Sequence, residues 1–177
     1  MPNPLIPRQQ IHEWIDDIDA NKASHKNAIN YLLTSQRSLS RYVAKGAGQV
    51  GVGSRRKILF IQGAILRVFD LAGGKIRKVT SQHIADAEEQ IGAVAGAMMP
   101  LDEGFAGRVR TTSWRRQPHL VDELLLSLFD GEEDLDPKEL AKLFFLMWVV
   151  VEAVDQAWRP KPDFEGESTY IHVPIEA

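Results

Sequence analysis

The chain has no cysteine among its 177 residues. That excludes disulfide staples, a thiolate nucleophile and cysteine-ligated zinc, and it fits a reducing compartment. Long apolar runs are missing as well. The most hydrophobic stretch, 143–151, stops at Glu152 and falls far short of the roughly 20 residues that a bilayer crossing needs. The opening Met1-Pro2-Asn3-Pro4-Leu5-Ile6-Pro7 lacks a basic segment followed by an apolar one. No secretory leader is therefore expected, no membrane partner either, and the expected location is cytoplasmic.

What is present is an ordinary globular composition, 44% hydrophobic and 25% charged, long enough for one domain with a real core. The charge, however, is unevenly laid out. Residues 20–80 hold 12 Lys/Arg against a single acid, Asp70, while 117–177 hold 14 Asp/Glu against four Lys/Arg. The net −3 conceals both halves. Such polarity implies an anionic partner, or a chain that mates with itself or with its own copies.

Apolar periodicity predicts an all-α, single-domain bundle of about six helices over 1–158, with an extended C-terminal tail over 159–177. The first helix covers about 7–20, with Ile11, Trp14, Ile15 and Ile18 on one stripe. Ser24 can cap a second reaching Lys45, and Ser54 opens a third that Gly73-Gly74 stops. Residues 75–79 read as a strand or a linker. Thr80 or Ser81 begins a fourth helix ending before Pro100, whose Gly92-x-x-x-Gly96 spacing predicts close approach by a neighbouring helix. Residues 99–117 read as a long irregular stretch, and Pro118 opens a fifth helix. Asp136-Pro137-Lys138-Glu139 combines a cap, a first-turn proline and a returning carboxylate. The helix it starts, about 137–158, is apolar all round, so it is either the centre of the fold or covered by a second copy.

Chemistry is harder to read. Gly46, Gly48 and Gly51 match G-x-G-x-x-G but follow a helix, where a dinucleotide fold needs a strand. The Walker pattern fails because Ser54-Arg55 follows Gly53. Arg55, Arg56 and Lys57 then occupy a first helical turn, where cations are disfavoured. A bound anion held by Gly51, Gly53, Ser54 and these side chains would offset that, although a mobile surface loop is the plain alternative. A second basic cluster, 108–116, contains Arg108, Arg115 and Arg116 around Trp114. It would hold phosphates, unless Trp114 anchors it on the core and the arginines pair with the acidic third. With Lys75 and Lys78 these make three basic patches.

His83-x-x-Asp86 and His119-x-x-Asp122 place His and Asp on one helix face each, the only arrangement that could hold a metal. Glu152 and Asp155 are the only acids deep in the apolar helix, and need a partner, Lys142 or an arginine. The acidic turn 130–136 fails as a calcium loop, with Leu135 and Ala141 at the glycine and bidentate-glutamate positions. No cofactor is expected. The leading expectation is a non-enzymatic protein whose basic half engages an anionic partner, nucleic-acid phosphates first. Next comes a homo-oligomeric adaptor with complementary surfaces, and third a metal-dependent hydrolase on the two His–Asp pairs.

Overall fold

A computed structural model of the chain describes residues 2–129 and 135–171. The acidic positions 130–134 and His172 lie outside the described residues. The fold is all-α: α1 Arg8–Ala20, α2 Lys22–Ser35, α3 Arg37–Ala47, α4 Arg55–Ala72, α5 Ser81–Met98, α6 Phe105–Arg110, α7 Pro118–Phe129 and α8 Pro137–Ala157. A two-residue antiparallel pair, β1 Lys75–Ile76 with β2 Trp158–Arg159, closes the bundle.

The helix that is apolar all round is the centre of the fold. α8 begins with Asp136 accepting from the Lys138 N–H and Pro137 in the first turn. It is flanked by α3, α4, α5 and α7, while α1 and α2 form an outer layer on α4. Leu143, Phe144, Met147, Val150 and Val151 are fully buried, and Leu146 and Val149 nearly so. Most of its circumference is thus covered within one chain. Dispersion contacts and removal of apolar surface from water hold it there.

Two predicted elements are divided differently. The helix expected over 24–45 is two helices, because Gln36 interrupts it. Its buried carboxamide donates to the Arg77 carbonyl (3.1 Å) and accepts from the Val79 N–H (2.9 Å). The broken end is satisfied locally: Ser40 donates to the Leu33 carbonyl (2.9 Å) and Thr34 to that of Asn30 (2.9 Å). The stretch expected to be irregular contains α6, whose Phe105 and Val109 are buried one turn apart. Phe105 meets the rings of Phe129 and Phe144, each at 5.5 Å.

Gly73 and Gly74 end α4 at φ +85° and +82°, the left-handed region that glycine occupies without penalty. Beyond them β1 meets β2, and the Trp158 indole donates to the Gly73 carbonyl (2.9 Å). From residue 160 to 171 the chain runs without helix across its own domain. Phe164 packs on Trp158 at 5.3 Å, and Glu167 exchanges backbone hydrogen bonds with Leu5.

Candidate functional site

The interruption at Gln36 fixes where the basic half presents its charge. It starts α3 at Arg37, and Arg37, Arg41 and Lys45 then recur every fourth residue, all exposed. That spacing makes one stripe about 12 Å long. At its start, the two Gln36 hydrogen bonds hold the 77–79 backbone alongside, which sets exposed Arg77 and Lys78 next to Arg37. At its other end, Lys45 shares the rim of a groove with Lys138 and Lys142 of α8. None of these seven cations has an ion pair among the described residues. The stripe was legible as an i, i+4, i+8 repeat, yet Arg37, Arg41 and Lys45 are not among the sequence-selected candidates.

Those candidates separate into groups. Arg55 and Arg56 are exposed at the start of α4, and Lys75 and Lys78 are exposed beyond its end. An 18-residue helix spans about 27 Å, so the two patches lie at opposite ends of α4. The α3 stripe runs between those ends. Lys57 instead borders, with Asp16 and Asp19, a cavity between α1, α4 and α7. The glycine loop does not gather amides around a space. Ser54 is buried and its N–H donates to the Gly51 carbonyl (3.0 Å). A Cβ built on Gly51 would lie 3.4 Å from the Glu139 carboxylate, so a negative group stands where an anion was expected. Gly53 is open to solvent.

The 108–116 cluster turns inward, a correction to its reading as a phosphate contact. Arg108 caps the end of α5, donating to the carbonyls of Met98 (2.7 Å) and Pro100 (2.6 Å) and pairing with Asp102 (2.6 Å). Arg115, 5% exposed, pairs with Asp122 (3.1 Å), donates to the Arg110 carbonyl and lies 4.6 Å over the Tyr170 ring. Arg116 stands 3.8 Å from both Glu152 and Asp155. Trp114 stacks on Trp148 at 5.5 Å and 9°, which anchors the loop and forces its arginines down onto α7 and α8. The partner of Glu152 and Asp155 is therefore Arg116, and Lys142 stays exposed on the groove rim.

Burial sets the electrostatics of this interior network. It pushes the Glu152 carboxyl up to about 7, against hydrogen bonds from the Arg116 N–H and the Trp148 indole. Asp155 is raised by burial too, against a 2.7 Å hydrogen bond from Gln117. Glu123 on α7 is raised by burial and held back by His12 at 3.1 Å.

The two His–Asp pairs serve separate ends. His83 completes a capping box with Thr80, and Asp86 accepts from Gln82 (2.7 Å). His119 meets Glu167 (2.7 Å), while Asp122 accepts from Arg115 and Tyr170. Among the described residues no group of three or more His, Asp or Glu could hold a metal ion, and no helix is long and apolar enough to cross a membrane. No family model, no curated protein and no solved structure matches the chain.

Proposed function

We propose that the α3 ridge is a docking face for an anionic polymer, nucleic-acid phosphates in the first place, in a non-enzymatic protein of a cytoplasmic, reducing setting. The single observation that carries it is the run of exposed cations Arg77, Lys78, Arg37, Arg41 and Lys45, none ion-paired among the described residues. Asp122, Glu152 and Asp155 are instead taken up inside by Arg110, Arg115 and Arg116. Cations left in water along one helix face suit a partner whose charge repeats, as a phosphate backbone does. Such binding reads charge and shape more than base identity.

The experiment is fluorescence anisotropy with labelled duplex DNA and single-stranded RNA over a salt series. Five phosphate contacts give a slope of log K on log salt of about −4.5 for duplex DNA. R37E/R41E loses at least tenfold in affinity, while Arg55→Glu has a smaller effect. Absence of binding at low salt refutes the ridge. The self-assembly alternative loses one support, since the outer face of α8 that called for a second copy is largely covered by α3 and α5.

A further inference from the structure

Gly92 and Gly96 do not meet the neighbouring helix that their spacing predicts. A Cβ built on either finds no atom within 4 Å, and both are exposed. They open onto a groove of about 810 Å³ between α3, α5 and α8. The wall from α5 is Gly92, Ala95 and Gly96, continuing to Met99; the wall from α8 is Ala141, Phe145 and Val149. Each wall recurs at three- and four-residue steps, so two helices present matching stripes about 12 Å long side by side. Small residues on one side let a third helix axis come close, and Phe145 and Met99, partly exposed, offer apolar surface for it to cover.

The rim supplies the sign of the occupant. Lys45, Lys138 and Lys142 surround the groove, without ion pairs among the described residues. The one acid among its lining residues, Glu88, lies beside the Tyr42 hydroxyl, which burial and this carboxylate together keep protonated. We infer that this groove receives an amphipathic helix of a partner protein, with small or aliphatic residues on its buried stripe and acidic residues on its flanks. The mode is helix-in-groove recognition: apolar anchors seat the helix, and charge complementarity at the rim orients it. This goes beyond the α3 ridge, with which it shares Lys45 alone among the ridge residues.

The test is a selection of 16-residue helical peptides against the full chain, followed by anisotropy with the enriched, fluorescein-labelled sequences. Enriched peptides carry apolar residues at i, i+3, i+4 and i+7 with Asp or Glu beside them. G92L/G96L fills the groove and loses binding at least thirtyfold, while its thermal unfolding shows it folded. K138E/K142E weakens binding at least tenfold, and R37E/R41E changes it less than threefold, which separates this site from the ridge. The inference is overturned if enriched sequences lack helical spacing or carry basic flanks, or if G92L/G96L binds them undiminished. It is equally overturned if a fluorescent long-chain fatty acid binds one to one, loses that binding in G92L/G96L and is not displaced by peptide, or if that variant abolishes a self-association seen by light scattering.

Discussion

Glu152 shows how one side chain ties stability to pH. Its carboxyl ionises near 4.5 in the unfolded chain and near 7 in the folded one. Between those values the folded state holds the extra proton, so stability falls as pH rises through the window. Burial causes the shift, and Asp155 and Glu123 move in the same direction. We expect urea unfolding to show the protein more stable at pH 5 than at pH 7.5, by on the order of 2 kcal/mol. Glu152→Gln keeps an acceptor for the Arg116 N–H and the Trp148 indole but has nothing to titrate. It should raise the unfolding midpoint at pH 7.5 and reduce the slope with pH without abolishing it. A slope unchanged by the substitution would place the titration elsewhere.

At the scale of elements, glycines that look alike in sequence act oppositely. Gly74 holds φ +82° and a Cβ there would come within 2.2 Å of the Arg159 carbonyl oxygen, a backbone atom of β2. Gly74→Ala should therefore destabilise by about 2–3 kcal/mol. Gly96 sits inside α5 with open space above it, so Gly96→Ala should stabilise by about 0.5–1 kcal/mol through backbone entropy. Opposite signs in one thermal-unfolding comparison would confirm both placements. Much of the helical layout was legible in the sequence. Thr80, Asp136-Pro137 and Gly73-Gly74 mark ends by local hydrogen bonding and backbone freedom, which neighbouring residues suffice to specify. The break at Gln36 was not legible, because its carboxamide answers to a backbone 41 residues further on. Nor was α6, which Phe105 holds through rings on α7 and α8.

At the scale of the molecule, Asp122, Glu152 and Asp155 lie in the interior with Arg110, Arg115 and Arg116, whereas Arg37, Arg41, Lys45, Arg77 and Lys78 face solvent. The tail contributes to that interior network. Glu167 holds His119 and the Leu5 backbone, and Tyr170 donates to Asp122 while its ring lies against the Arg115 guanidinium. Removing residues 163–177 should lower the melting temperature by about 5–10 °C, on roughly 3 kcal/mol of lost contacts. Affinity for nucleic acid should persist, since the ridge lies on α3. If the truncated protein melts unchanged, the tail does not brace the network.

The sequence by itself determined the helical class, the need to cover a helix apolar all round and the segregation of opposite charges along the chain. Those follow from periodicity and composition, which local spacing carries. Which cations face water was decided only by tertiary structure. Arg37 and Arg115 both lie in basic stretches that also carry serine and threonine, yet one is exposed and the other is buried against Asp122 and Tyr170. The difference lies in Trp114 stacking on Trp148, a contact between residues far apart in the chain that turns a whole loop inward. Side-chain direction depends on what each backbone segment packs against, and that is a property of the assembled core.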